Sequence, residues 1–193
     1  MDFNKLAKQI YQANIKKGFW KKKGDEGQRL FLVITELSEM CEANRIGYAC
    51  SPVALMQMEL LGNTASRLKY FKEKVKDSEG DELADAFIRM LDYYKGFGLK
   101  ISEARINSYI EHNKRDRMKN LGAELLKLSG LIGRIYAGEI KGEVKKETKE
   151  MLSDYAISRM IWIAQQKKIH LEKHVEYKMW YNATRPKMHN KKY

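Results

Sequence analysis

Proline, cysteine and long apolar runs are all scarce in this chain of 193 residues. Only two prolines occur, Pro52 and Pro186, so long helices can run unbroken between them. The two cysteines, Cys41 and Cys50, are too few for a disulfide framework; in a lysine-rich chain they read as reduced thiols with structural roles. No apolar stretch approaches the roughly eighteen residues of a membrane span. The opening Met1-Asp2-Phe3-Asn4-Lys5-Leu6 passes directly into a mixed helical pattern without a leader, so the expected location is the cytoplasm. Runs of alternating β-branched residues are missing, and so are a glycine-rich phosphate loop and a nucleophile elbow.

What fills the chain is apolar spacing near 3.6 residues, which sets the class as all-α, with room for one domain or two small ones. The pattern predicts helices over Phe3 to about Lys17, Glu26 to Ile46, Pro52 to Leu61, Ser66 to Lys76, and Asp81 to Lys95. A further helix from Ser102 to about Asn120 is announced by the cap signal Ser102-Glu103. The formal charge is +12, and between Lys167 and Tyr193 eight Lys/Arg face two Glu. Such a tail suits nucleic acid, the phosphates of a small nucleotide, or solvent alone.

Two spaced acidic pairs carry the chemistry: Glu36-x-x-Glu39 and Glu82-x-x-Asp85. Three-residue spacing puts each pair on one helix face. In the first helix the main apolar stripe is Leu30, Ile34, Leu37 and Cys41, with Leu32, Glu36, Glu39 and Ala43 as the adjoining row. In the second, Leu83, Phe87, Met90 and Tyr94 form the stripe beside Glu82, Asp85, Arg89 and Asp92. Acids at the edge of a core are costly unless paired or bound to a cation. Two such helices packed together would offer four hard oxygen ligands, a set suited to Mg²⁺, with Mn²⁺ as the alternative. The competing reading is two solvated faces, with Asp85 bridging to Arg89 four residues on.

Three stretches in order resemble the MazG-like, all-α nucleoside triphosphate pyrophosphohydrolases. Ile34-Thr35-Glu36-Leu37-Ser38-Glu39-Met40-Cys41-Glu42 looks like the family's first metal helix, and Glu82-Leu83-Ala84-Asp85-Ala86-Phe87-Ile88-Arg89 like its second. Lys178-Met179-Trp180-Tyr181-Asn182-Ala183-Thr184-Arg185-Pro186 is similar to the basic tail of one branch, as is Gly18-Phe19-Trp20 to an aromatic pair ahead of the first acidic helix. The resemblance implies a helical bundle completed by dimerisation, and Mg²⁺-dependent hydrolysis of a nucleoside triphosphate to the monophosphate and pyrophosphate. It implies Glu36, Glu39, Glu82 and Asp85 as metal ligands, one of them, Glu39 for instance, serving as general base instead. Lys178 and Arg185 would hold the triphosphate, Asn182 or Tyr181 would meet sugar or base, and Trp20 would stack on the base or plug the core.

The chain also repeats itself. Arg89-Met90-Leu91 and Leu99-Lys100-Ile101 recur 70 positions later as Arg159-Met160-Ile161 and Ile169-His170-Leu171. Leu37-Ser38 and Gly47 recur 91 positions later as Leu128-Ser129 and Gly138. Two related units, residues 1–118 and 119–193, would then form a pseudo-dimer within one chain. At those offsets Glu36, Glu39, Glu82 and Asp85 become Lys127, Gly130, Leu152 and Tyr155, with Asp154 one residue out of place. The second unit is therefore expected to lack metal ligands while keeping the better tail. His170 and His174 lie four apart without a third ligand, and read as a solvated helix face. The expected partners are a nucleoside triphosphate and a homo-oligomeric copy, with no membrane. Two rivals stay open: a non-catalytic nucleotide-binding relative, and a basic helical nucleic-acid-binding protein.

Overall fold

The computed structural model describes residues 1–21, 24–137 and 144–190. Lys22, Lys23, Gly138, Lys191, Lys192 and the His189 side chain, and with them the repeat at Gly138 and the end of the basic tail, lie outside the described residues. The described residues are all-helical: α1 Phe3–Lys17, α2 Glu26–Arg45, α3 Pro52–Leu60, α4 Thr64–Lys74, α5 Glu79–Gly96, α6 Glu103–His112, α7 Leu121–Ala137, α8 Lys146–Gln166 and α9 Leu171–Thr184. A turn of 3₁₀ helix follows at Lys187–Asn190. No helix among them is long and apolar enough to cross a membrane.

Local chemistry sets most of the starts. The side chains of Asp2, Asp25, Ser51, Asn63, Ser78 and Ser102 each accept a hydrogen bond from an amide in the first turn of α1 to α6 respectively, satisfying a donor that the helix leaves open. Gly18 ends α1 at φ +90°, a conformation that glycine adopts at little cost. The expected helix from Ser102 to Asn120 is shorter than predicted and stops at His112. Beyond it the chain turns to α8 instead. Trp162 Nε1 donates to the Asn113 carbonyl (3.0 Å), Gln166 Nε2 to that of Asp116 (3.2 Å), and the Met118 amide donates to Gln166 Oε1 (3.1 Å).

Helix α5 is the hub, packed against α1, α2, α8 and α9. Its stripe Leu83, Phe87, Met90 and Tyr94 is fully buried. On α2 the buried line is Leu30, Val33, Leu37, Met40 and Ala43. Ile34 is only half-buried and Cys41 is exposed, so that seam lies one residue aside from the predicted one and turns Glu36 inward. One apolar core runs from Phe3 through Ile106 to Val175 and is shared by both proposed units. The connections cross: α5 leads to α6, which lies on α8, and α8 leads to α9, which lies on α5. A second apolar cluster under α3 and α4 joins Leu55, Met58, Phe71 and Val75 to Tyr177 and Tyr181 of α9. The segment between the acidic helices thus clamps α9 in place.

The 70-residue spacing has a geometric counterpart. After α5 the Leu99 amide donates to Tyr94 O (2.9 Å), and after α8 the Ile169 amide donates to Ala164 O (2.8 Å). The residues at the left-handed positions of those turns are Gly98 (φ +66°) and Lys168 (φ +55°). Arg89 of α5 pairs with Glu36 of α2, and Arg159 of α8 pairs with Glu124 of α7.

Candidate active site

A cleft of about 700 Å³ opens between α2, α5, the end of α1 and α9, a size that suits a nucleotide-sized ligand. Helix periodicity builds its acidic wall. Leu32, Glu36 and Glu39 project from α2, and Glu82, Asp85, Arg89 and Asp92 from α5, all into the same space. Oxygens of Glu36, Glu82 and Asp85 lie within 4.8 Å of one another. Glu36 and Glu82 are 6% and 3% exposed. Glu39, one turn further along α2, is exposed on the rim and outside that trio.

Pairing is across helices, not along them. Arg89 Nε donates to Glu36 Oε1 at 2.6 Å, whereas the Asp85–Arg89 bridge of the competing reading is replaced by Asp85 to Lys178 at 2.8 Å. Lys178, expected at the phosphates, points instead into the first turn of α5, where its Nζ also meets Asp81 Oδ2 at 2.6 Å. The reason is the seating of α9 on α5, which buries Lys178 to 4% exposure. Asp81 is fully buried; its Oδ2 also accepts from the Asp77 amide (3.0 Å) while its Oδ1 has no partner.

The electrostatics follow from burial in a surplus of like charge. Burial pushes the Glu82 carboxyl up to about 9, reinforced by Asp81, Asp85 and Glu36 and only partly opposed by Lys178. Glu36 is raised by burial too, against the pull of Arg89. Asp81 is pushed up to about 6 for the same first reason. Burial alone would lower the Lys178 ammonium, but Asp85, Asp81 and Glu82 outweigh it and the net shift is upward.

The opposite wall comes from α9 and the chain after it: Tyr181, Asn182, Arg185 and Met188 line the cleft. Tyr181 is held by stacking on Phe71 (centroids 4.7 Å apart), and Arg185 Nη1 reaches Asn182 Oδ1 at 3.5 Å. Lys17 of α1 donates to the carbonyls of Ala183 and Arg185, tying this wall to the first helix. Of the aromatic pair, Phe19 lines the cleft and Trp20 does not. The Trp20 indole donates to both Asp92 oxygens (2.9 and 3.1 Å) and carries the Arg29 guanidinium 3.5 Å above its ring. It also covers Gly96, where a Cβ would fall 1.9 Å from the ring. This is the core-plug alternative.

Asp77, Asp81, Asn14 and Arg29 belong to the neighbourhood without having been singled out from sequence. Asp81 had a signal: it stands four before Asp85 and so shares its helix face. Asn14 and Arg29 had none, since long-range packing alone brings them in. His174 departs from the solvated face expected of it. It is 2% exposed, burial lowers it to about 4, and its ring rests on Gly80, where a Cβ would lie 2.3 Å from Nε2.

Comparison with known proteins returns no match: no family model fits the chain, and neither a curated protein nor a solved structure resembles it at a significant level.

Proposed function

We propose that this cleft binds a nucleoside triphosphate with a divalent cation and hydrolyses it to the nucleoside monophosphate and pyrophosphate. The observation that carries the reading is the convergence of Glu36, Glu82 and Asp85 in one cleft whose far wall presents Asn182 and Arg185. The donor set fits a hard cation such as Mg²⁺: every side chain in the trio offers oxygen. Two of the three carboxyls, Glu36 and Glu82, are held above their ordinary range by burial and by the neighbouring carboxylates. Glu36, Glu82 and Asp85 would hold the ion, with Glu39 reaching in from the rim. When bound, Mg²⁺ supplies charge stabilisation at the phosphoryl group and lowers the pKa of water.

The protein's own groups have distinct tasks in this scheme. Arg89 fixes Glu36, and Lys178 fixes Asp85 and Asp81, so that the carboxylates keep one arrangement. Glu39, exposed and adjacent, is placed to accept a proton from water. Arg185 and Asn182 offer donors to phosphate and sugar oxygens, while Trp20 acts indirectly, by holding Asp92 and Arg29.

The same reading extends to architecture: residues 1–118 and 119–193 are two related units of MazG-like type, folded together as an intramolecular pseudo-dimer. Matching turns at Gly98 and Lys168 and the crossed seating of α6 and α9 support it. The test is incubation with Mg²⁺ and a panel of NTPs and dNTPs, reading pyrophosphate. Asp85→Asn is expected to lose roughly 10²–10³-fold in rate, the order seen when one group stabilising developing charge is removed. No pyrophosphate from any nucleotide, or near-normal turnover in Asp85→Asn, would overturn the assignment.

A further inference from the structure

The acidic cluster has the outline of two adjacent cation positions. Glu36, Glu82 and Asp85 bring oxygens within 4.8 Å of one another, and a second trio, Asp77, Asp81 and Glu82, does the same. Glu82 belongs to both, as a bridging carboxylate does in two-metal sites. An ammonium already stands in the gap: Lys178 Nζ lies 2.6 Å from Asp81 Oδ2 and 2.8 Å from Asp85 Oδ2. Those are charge-assisted hydrogen-bond distances. An ion held by Asp77, Asp81 and Glu82 would have to share Asp81 Oδ2 with this ammonium, and like charges so close repel strongly in a buried setting. The remaining Asp81 oxygen, Oδ1, is buried and has no partner at all.

Nor is Lys178 a loose arm that swings aside. Its helix is anchored on either side of it: Tyr177 Oη donates to Leu55 O at 3.2 Å, and Tyr181 stacks on Phe71. Arg67 of α4 lies over the rings of Tyr177 and Trp180, at 5.3 and 4.7 Å. The α3–α4 clamp thus delivers the ammonium from a fixed helix into the first turn of α5.

We propose that Lys178 is the built-in second cation of this cluster. Its ammonium takes the position that a second divalent ion would occupy against Asp81, and so limits each chain to one ion at Glu36, Glu82 and Asp85. The inference rests on the divalent-cation reading of the cleft and adds to it an ion count and a positioning role for Lys178.

The test is a Mn²⁺ titration of the full chain without nucleotide, free ion being counted by its electron paramagnetic resonance signal. The wild-type protein is expected to take one Mn²⁺ per chain. Lys178→Met is expected to take two, with the broadened spectrum of a coupled pair, and adding Asp77→Asn to it returns the count to one. Should Lys178→Met fail to fold, Lys178→Gln keeps a donor for Asp81 and carries the same count. Two ions in the wild type, or one in a folded Lys178 variant, overturns this inference and leaves the divalent-cation reading standing. No binding in the wild type removes both.

Discussion

Replacing Glu82 by glutamine should make the metal-free protein more stable and less sensitive to pH. The Glu82 carboxyl is held at about 9 against an ordinary value of 4.5, burial being the main cause. Between those values the folded chain keeps a proton that the unfolded chain has released. Stability is therefore full below about 4.5 and falls as pH rises toward about 9. Each pH unit inside that window costs up to about 1.4 kcal/mol. From pH 6 to pH 8 the ceiling is about 2.7 kcal/mol, which for a chain of this size shifts Tm by roughly 5–10 °C. Glutamine has the same shape and no proton to lose, so Glu82→Gln should flatten that part of the curve. Glu36 and Asp81 are raised as well and keep a residual slope in both proteins, so the difference between the two curves isolates Glu82. Mg²⁺ at a hundred times its Kd should stabilise the wild type by about 2.7 kcal/mol, and the variant by far less. Thermal melts at pH 6, 7 and 8, with and without Mg²⁺, provide the readout. Parallel Tm–pH lines for the two proteins, or an equal Mg²⁺ shift in both, would refute the reasoning.

Other substitutions probe the supports of the cleft. Gly96→Ala, normally a gain of about 1 kcal/mol in a helix, should here cost roughly 1–3 kcal/mol. Its Cβ would fall 1.9 Å from the Trp20 ring; urea melts with a shift in tryptophan emission check it. Phe71→Ala removes a fully buried ring from the clamp on α9, so a loss of about 3–5 kcal/mol is expected, with KM rising more than kcat falls. Lys168→Gly relaxes a lysine at φ +55° and should gain about 0.5–1 kcal/mol in urea melts, strain relief being offset by glycine entropy. Glu39→Gln, on the rim, should slow pyrophosphate release by roughly 10²–10⁴-fold, as loss of a general base does, while leaving Tm unchanged.

Much of the site was legible because it lies on two helices. Helical spacing alone places Glu82, Asp85, Arg89 and Asp92 on one line, and that line faces the cleft. The same spacing misjudged α2 by one residue, because an apolar count cannot separate Ile34 and Cys41 from Val33 and Met40 without knowing where α5 sits. The partner of Asp85 was not legible either. Arg89, four residues along, satisfies a local rule, but the half-buried Asp85 carboxylate at the edge of α5 is reached more directly by Lys178 from a helix nearly a hundred residues away. Trp20 shows the opposite error of emphasis: an aromatic next to acids reads as a stacking platform, yet the absence of a side chain at Gly96 is what fixes its place. The early stop of α6 likewise depends on Trp162 and Gln166 claiming carbonyls of the next segment.

On the two-unit reading, the crossed connections explain how one half can lose its acids and still serve the site. The first half supplies carboxylates from α2 and α5, and the second sends α9 across to α5 with Lys178, Tyr181, Asn182 and Arg185. The return arm, α6, lies on α8, where the counterpart space is filled. Tyr155 stands 70 positions after Asp85 and packs on Tyr109 of α6, with centroids 5.0 Å apart. Trp162 stands 70 positions after Asp92, is buried, and donates to the carbonyl of Asn113, the residue that ends α6. On that reading aromatic rings stand at the positions of the acids, and packing them between α6 and α8 strengthens the junction between halves at the expense of a second cleft. Arg159 pairs with Glu124 of α7 as Arg89 pairs with Glu36 of α2, although the 91-residue offset sets Lys127, not Glu124, against Glu36. The Arg–Glu pair on its own is thus a packing device between neighbouring helices, and what sets the first cleft apart is the added carboxylates of Glu82 and Asp85.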